Sequence, residues 1–183
     1  MIFEDETGFQ MAPVSHSTWG MRGRTTIIKH STSRERFSTI GAIALQRGKG
    51  NVRSYFRIHS QNVRSGHIIK FVSHLLFIIH GPIVLVWDNA PIHKSKIVKE
   101  YIAKYRRLFV EELPSYAPEL NPVENIWSQT KYHHLGNFCP STTDHLLDET
   151  RNTLQKVRSR PKLQKSALRS IPMPWDSDIY FLS

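Results

Sequence analysis

The stretch PIVLVW at residues 82–87 restricts the fold more than any other part of the chain. It is a continuous apolar run without alternation, which is typical of a strand buried on both faces. Such a strand has helices on both sides of its sheet and therefore predicts an α/β protein. Asp88 follows the run directly, at the end of the strand where open α/β sheets gather their reactive groups.

The patterns on either side of this run predict a mixed sheet flanked by helices. Alternating residues at 36–45 and 51–59 are joined by the turn RGKG and predict an antiparallel hairpin. The later strands alternate with helices, which is typical of parallel crossover connections. Outside the hairpin, the predicted elements are a short strand MIFE, a helix at 62–79, the strand at 82–87, a helix at about 93–106 with Ile97, Tyr101 and Tyr105 on one side, a strand at 108–113, a helix from about 122, and a last helix at 141–157.

Length and composition predict one folded domain that binds a polyanion. A chain of 183 residues with 39% apolar residues can bury a full core. Its net charge of +10 favours nucleic acid as the partner. Residues 151–169 carry seven Lys and Arg and no acid, so this tail either follows a DNA backbone or forms a solvated helix face. The domain prediction is a core at 1–140 and a C-terminal helix with a basic tail at 141–183.

The sequence predicts a cytoplasmic protein. Cys139 is the single cysteine, which excludes an internal disulfide and a multi-cysteine zinc site and fits a reducing compartment. The most apolar stretch, residues 68–87, is interrupted by charged residues, glycine and proline, so we expect no membrane span. The N-terminus shows no basic start followed by an apolar run, and we expect no signal peptide.

Three carboxylates have an ordinary structural explanation when each is taken alone. Asp5 lies in an acidic cluster that closes the first predicted strand, and such clusters are usually solvated turns. Asp88 suits a turn or helix cap, although burial after an apolar strand favours proton uptake unless a cation compensates. Asn121 as N-cap, Pro122 at the first helical position and Glu124 at the third form a capping-box-like helix start.

Taken together, these carboxylates predict a metal site, because all three fall where an α/β sheet gathers its functional groups. Carboxylates without a cysteine or histidine ligand set suit hard cations such as Mg²⁺ or Mn²⁺. Two such ions about 3.5–4 Å apart activate the attacking oxygen and stabilise the leaving oxygen in phosphoryl transfer. A basic protein around such a site is consistent with a DNA substrate.

Three motifs in this order resemble the DDE catalytic domain of mariner-type transposases, closest to the bacterial insertion-sequence branch. They are FEDETGF, VWDNAPIHKSK and LPSYAPELNPVENIW, and 35 residues separate Asp88 from Glu124, as is usual in the family. TWGMRGRT at 18–25 resembles the basic loop after the family's first Asp. The resemblance covers residues 3–135 and implies an RNase H-like fold, two Mg²⁺ or Mn²⁺ ions, DNA cleavage at transposon ends, and attack of the freed 3′-hydroxyl on target DNA.

Residue roles follow from the matched positions. The metal ligands implied by the resemblance are Asp5, Asp88 and Glu124. The supporting or structural positions are Asn89, His93, Asn121 and Pro122. The candidate DNA contacts are Arg22, Arg24, Lys94, Lys96 and Lys131, where a solvated lysine is an equal alternative for the last. Trp127 is expected to pack in the core.

Family members carry helix-turn-helix modules ahead of this domain, and the sequence starts about four residues before Asp5. The expectations are therefore a clipped first strand, a separately encoded helix-turn-helix half, DNA as partner, a homodimer, and a place at the bacterial nucleoid. Three alternatives stay open: a non-catalytic DNA-binding remnant, another RNase H-like nuclease, and an interaction subunit that works only with a separate partner.

Overall fold

The computed structural model describes residues 1–15, 17, 19, 21–23, 27, 33, 35–46, 51–115 and 117–169, and it contains one mixed five-stranded sheet. The strand order is β3-β2-β1-β4-β5, with β1–β2 and β2–β3 antiparallel and β4 parallel to β1 and β5. The predicted hairpin and mixed sheet are confirmed, while the RGKG turn lies outside the described residues. The strands are β1 (Ile2–Gln10), β2 (Arg36–Leu45), β3 (Val52–His59), β4 (Ile83–Trp87) and β5 (Leu108–Glu112).

Helices cover both faces of the sheet. One face carries α1 and α2, and the other carries α3, α4 and α5. A 3₁₀ turn at Pro118–Leu120 precedes α3, and a π-helical segment at Gln129–His134 follows it. None of these helices is long and apolar enough to cross a membrane. The helices are α1 (Ser65–Ile78), α2 (Lys96–Ile102), α3 (Pro122–Ser128), α4 (Thr143–Arg158) and α5 (Pro161–Arg169).

Strand β4 is buried on both faces, as its apolar run predicts. Leu85 and Trp87 pack into the core under α1 and α2, while Val86 packs into the core under α3 to α5. Of the three residues predicted to share one side of α2, Tyr101 and Tyr105 pack against the core and Ile97 does not. Val98 is buried and Ile97 is 52% exposed, because the side of α2 that meets the core carries Val98 and, one turn later, Ile102.

Strand β1 is longer than predicted and does not end at the acidic cluster. It pairs with β2 from Ile2 through Gln10, where Gln10 lies opposite Arg36. Phe9 and Met11 then anchor its far end in a separate apolar cluster with Phe37. The prediction of a solvated acidic turn is therefore wrong, because backbone pairing with β2 carries the three acids through the middle of the sheet.

The C-terminal segment packs against the sheet. Residues 161–169, expected from sequence as part of a basic tail, form α5. Gln164 is 1% exposed and accepts a hydrogen bond of 2.7 Å from the Ser54 hydroxyl on β3. Ala167 of α5 and Leu154 of α4 belong to the same core cluster as Trp127, so α4 and α5 pack on the same face of the sheet as α3.

Candidate active site

Three carboxylates from three elements line one cleft at the carboxyl end of β4. Asp5 comes from β1, Asp88 follows β4 directly, and Glu124 lies in the first turn of α3. The cleft has a volume of about 390 Å³, and much of its remaining wall comes from the loop between β5 and α3. The structure thus brings the three predicted metal ligands to one space.

The register between β1 and β4 places Asp5 beside the end of β4. The two strands pair at Ile2↔Leu85 and Phe3↔Val86, and continuing this register puts Asp5 level with Asp88. Asp5 therefore reaches the cleft from the middle of a strand, and its predicted place at a strand end is wrong. It reaches the same edge because β1 extends beyond β4 while still paired with β2.

Asp5 is held by a buried tryptophan. The indole Nε1–H of Trp127 donates a hydrogen bond of 2.7 Å to Asp5 Oδ2, and both residues are buried. Burial and the nearby Glu124 carboxylate raise the pKa of Asp5 to about 8, although the Trp127 hydrogen bond opposes this shift. Trp127 packs in the core as predicted, but its hydrogen bond to Asp5 was not predicted from the sequence.

Asp88 lies in a different electrostatic environment. Its side chain is 52% exposed, and Oδ1 accepts a hydrogen bond of 2.9 Å from the Ala90 amide. The His93 Nδ1 lies 3.2 Å from the same oxygen, and this contact lowers the pKa of Asp88 although partial burial acts in the opposite direction. Burial alone favours proton uptake at Asp88, as expected, but the contact with His93 and the hydrogen bond from Ala90 outweigh it.

The start of α3 fixes Glu124 relative to β1. Asn121 is the N-cap, and its Oδ1 accepts a hydrogen bond of 3.2 Å from the Val123 amide. Its Nδ2 donates a hydrogen bond of 3.0 Å to the Glu4 carbonyl in β1. Pro122 occupies the first helical position, as expected. One residue therefore caps the helix that carries Glu124 and ties it to the strand that carries Asp5.

Asn89 joins the ends of the two parallel strands. Its Nδ2 donates a hydrogen bond of 2.7 Å to the Leu113 carbonyl, directly after β5. The Leu113 amide donates in turn to the Trp87 carbonyl at 2.8 Å. These bonds hold the loop after β4 against the loop after β5, where both form the cleft wall.

His93 lies behind the cleft, on the opposite face of β1. Its ring stacks on Trp87 with centroids 4.3 Å apart, and its Nε2 lies 3.0 Å from Glu6 Oε1 and 3.5 Å from Glu4 Oε2. Burial lowers the pKa of His93, but the hydrogen bonds to Asp88 and Glu6 and the charges of Glu4 and Glu6 outweigh it and raise the pKa to about 11. His93 therefore lies between carboxylates on both sides of its ring, with Asp88 at Nδ1 and Glu4 and Glu6 at Nε2.

Glu4 and Glu6 belong to this arrangement, although neither was predicted from the sequence to be part of the site. Glu4 is fully buried, and neither of its carboxylate oxygens accepts a hydrogen bond within the described part of the chain. Burial and the Glu6 charge raise its pKa well above the usual range, although His93 opposes this. Alternation along a strand was the available signal, because it places Glu4 and Glu6 on the face opposite Asp5.

Lys131 is the predicted DNA contact that lies beside the acids. It is half-buried, its ammonium donates to the Thr7 hydroxyl, and its Nζ lies 5.5 Å from the centre of the Phe9 ring. Burial lowers the pKa of Lys131, while the charges of Glu124 and Asp5 oppose that shift. Lys131 therefore provides positive charge next to the cleft.

Among the described residues, the predicted DNA contacts Arg22, Lys94 and Lys96 do not line the cleft. Arg22 is exposed in a turn, and Arg24 lies outside the described residues. Lys94 is 3.6 Å from Glu112, and Lys96 is 3.8 Å from Glu100 in exposed ion pairs. Such surface pairs contribute little stability, so these side chains are available to a polyanion.

The donor set fits Mg²⁺ or Mn²⁺. Asp5, Asp88 and Glu124 offer carboxylate oxygens, which are the ligands that hard divalent cations prefer. Burial raises the pKa values of Asp5 and Glu124, so ionising both without a cation is unfavourable. A bound cation would offset this cost.

Comparison with known proteins identifies the family. A model described as DDE superfamily endonuclease matches residues 1–146. The chain belongs to this DDE superfamily. It is 24% identical over 163 residues to the insertion element IS630 uncharacterized 39 kDa protein of Shigella sonnei, covering 88% of the chain and 46% of that relative. It is 43% identical over 72 residues to the transposable element Tcb2 transposase of Caenorhabditis briggsae, covering 38% of the chain and 25% of that relative.

Solved structures of a mariner transposase share the fold of this DDE chain. The Mos1 transposase in a paired-end complex with the left transposon end gives a TM-score of 0.69 at 13% identity, covering 93% of this chain and 52% of that one. The Mos1 paired-end complex with Mn gives 0.68 at 12% identity, covering 98% and 53%. The predicted RNase H-like fold and resemblance to mariner-type transposases are confirmed, and the chain spans less than half the length of the curated relatives it matches.

Proposed function

We propose that this chain is a transposase catalytic domain that cleaves DNA at transposon ends and transfers the freed strand to target DNA. The observation that carries the proposal is the convergence of Asp5, Asp88 and Glu124 on one open cleft. Membership of the DDE superfamily supports it, as do the Mos1 structures with a transposon end and with Mn.

The three carboxylates would hold two Mg²⁺ or Mn²⁺ ions, which when bound activate the attacking oxygen and stabilise the leaving oxygen. Trp127 fixes the Asp5 carboxylate, and Asn121 fixes the helix that presents Glu124. In cleavage, a water oxygen bonds to phosphorus and the 3′ oxygen leaves as a hydroxyl. In transfer, that hydroxyl oxygen bonds to a target phosphorus and the target's 3′ oxygen leaves.

Cationic side chains would hold the DNA. Lys131 lies next to Glu124 and Asp5 and would contact a phosphate at the reacting position. Arg22, Lys94 and Lys96 are exposed and would contact the backbone farther away, so affinity falls as salt rises. The proposed partners are transposon-end and target DNA, a second copy of the chain and a separately encoded helix-turn-helix half, at the bacterial nucleoid.

Nicking of supercoiled plasmid in Mg²⁺ or Mn²⁺ tests this function. We expect metal-dependent nicking by the wild-type chain and loss of nicking in Asp88→Asn and Glu124→Gln. Glu119→Gln is the matched control, because Glu119 is an exposed acid in the 3₁₀ turn before α3 and is not among the residues that line the cleft. This control is expected to nick like the wild type.

Each outcome separates the proposal from an alternative. Nicking that persists in Asp88→Asn or Glu124→Gln would remove that residue from the proposed site. A wild-type chain that binds DNA in Ca²⁺ but never nicks it would support a non-catalytic DNA-binding remnant. A strong preference for a four-way junction over plasmid would support a structure-specific nuclease.

A further inference from the structure

Strand β1 presents carboxylates to both faces of the sheet. Asp5 faces the cleft, whereas Glu4 and Glu6 face the side that carries His93. Backbone pairing between β1 and β4 ends at Phe3↔Val86, before either aspartate is reached. The ladder therefore sets Asp5 level with Asp88, whereas the orientation of the Asp88 side chain depends on other contacts.

His93 supplies such a contact. Its Nδ1 lies 3.1 Å from the Asp88 carbonyl and 3.2 Å from Asp88 Oδ1, while its Nε2 lies 3.0 Å from Glu6 Oε1. His93 is 3% exposed, and its ring stacks on Trp87 at an interplanar angle of 8°. Both ring nitrogens are thus engaged, and packing restricts rotation of the ring between them.

We propose that Glu6 is a positioning residue that acts on Asp88 through His93 and keeps the Asp88 carboxylate level with Asp5. The proposal rests on the proposed function, in which both aspartates bind the same pair of ions. Asp88 is half exposed and follows the last residue of β4, so it depends on Ala90 and His93 to select one orientation. Glu4 is fully buried, and its Oε2 lies 3.5 Å from the same ring nitrogen.

A second reading of these residues is a separate metal site. Ligand atoms of Glu4, Glu6 and His93 lie within 4.8 Å of one another. In the proposed chain of contacts from Glu6 through His93 to Asp88 (the relay), Nε2 is occupied by its hydrogen bond to Glu6 and is not available to an ion. The two readings therefore differ in where an ion binds and in what Asp88 contributes to its affinity.

Mn²⁺ binding to the full chain without DNA, followed by electron paramagnetic resonance, tests the relay. Glu6→Ala is expected to weaken Mn²⁺ binding by about 10- to 100-fold, the usual effect of removing a partner that orients a metal ligand. Glu6→Gln keeps a side-chain oxygen that can accept from Nε2–H, so it is expected to restore most of the affinity. Glu111→Ala removes an exposed carboxylate on the edge strand and is expected to bind like the wild type.

A double-mutant cycle shows whether Glu6 acts through Asp88. In an Asp88→Asn background, Glu6→Ala is expected to cause no further loss, while in Glu124→Gln it is expected to cause its full loss. Equal losses in both backgrounds, or no loss in the wild-type background, would overturn the relay. So would a Mn²⁺ ion that stays bound in Asp88→Asn/Glu124→Gln and disappears on adding Glu6→Ala, since that ion would lie at Glu6.

Two further readouts keep the result interpretable. Near-ultraviolet circular dichroism shows whether Glu6→Ala folds, and the folded Glu6→Gln variant must bind more tightly than Glu6→Ala if the relay is correct. The metal measurement does not require nicking. A wild-type chain that never nicks DNA but shows the expected cycle would refute the proposed function and leave the relay standing.

Discussion

Gly41 is the position where a single methyl group tests the link between packing and the active site. It lies on β2 opposite Asp5, and the Trp127 indole passes over it. A Cβ added there would lie 2.5 Å and 2.6 Å from Trp127 Cη2 and Cζ2 and 3.2 Å from Phe56 Cδ1. Since Trp127 is buried, Gly41→Ala forces a shift in a close-packed region.

The size of this shift sets the expected effect. Carbon atoms pack at about 3.5–4.0 Å, so the indole has to retreat by about 1 Å. That displacement breaks the 2.7 Å hydrogen bond to Asp5 unless the strand follows. Overpacking costs about 1–3 kcal/mol and a lost hydrogen bond to the protonated Asp5 about 0.5–1.5 kcal/mol, so we expect a destabilisation of about 1.5–4.5 kcal/mol.

Urea unfolding measures the loss of stability, and Mn²⁺-dependent nicking measures the effect on the site. A displacement of about 1 Å can reduce activity by about 100-fold. Gly8→Ala is the matched control, because it lies on the adjacent strand β1 and the nearest atom to its added Cβ is the Phe37 carbonyl oxygen at 4.0 Å. If Gly41→Ala unfolds at the same urea concentration as Gly8→Ala and nicks normally, the tight contact with Trp127 does not position Asp5.

Two further predictions concern stability. Arg107→Met is expected to lower the free energy of unfolding by about 2 kcal/mol, because the guanidinium donates to the carbonyls of Leu76, Ile79 and Gly81 at the end of α1. Urea unfolding measures this loss. Arg107→Lys is expected to be destabilised as well, because an ammonium group lacks the planar set of N–H donors that a guanidinium offers. In metal-free protein, the raised pKa of Asp5 means that the folded state keeps a proton that the unfolded state has lost between about pH 4 and 8. The unfolding free energy therefore falls by up to about 1.4 kcal/mol per pH unit as pH rises through this window. Urea titrations in EDTA at about pH 5 and 6.5 are expected to show this fall in the wild type and a smaller one in Asp5→Asn. An equal fall in both proteins would contradict the assignment of the effect to Asp5.

The parts of the fold that could be predicted from sequence have strong local causes. The run at 82–87 is apolar at every position, so it indicates a strand covered on both faces. Asn121 and Pro122 fix where α3 begins, and this determines the turn of the helix that carries Glu124. Both signals are independent of distant residues.

The parts that could not be predicted depend on distant partners. Three acids in a row resemble a turn, and only pairing with β2 keeps β1 extended from Glu4 to Glu6. Pro161 resembles the end of a helix, yet it is the first residue of α5, where a missing amide proton costs nothing. The buried hydrogen bond of Gln164 to β3 holds that helix in place, and its sequence position gives no indication of the contact.

The stretch NPVENIW explains why one glutamate is held so firmly. Asn121, Glu124 and Trp127 are spaced by three residues, so they lie on one side of α3 and face β1. Asn121 donates to a β1 carbonyl, Glu124 lines the cleft, and Trp127 donates to Asp5. Asp5 and Glu124 are thus tied together by one short helix, whereas Asp88 is tied to β1 through His93. Changes in α3 should therefore move two of the three carboxylates together, while changes at His93 should move Asp88 alone.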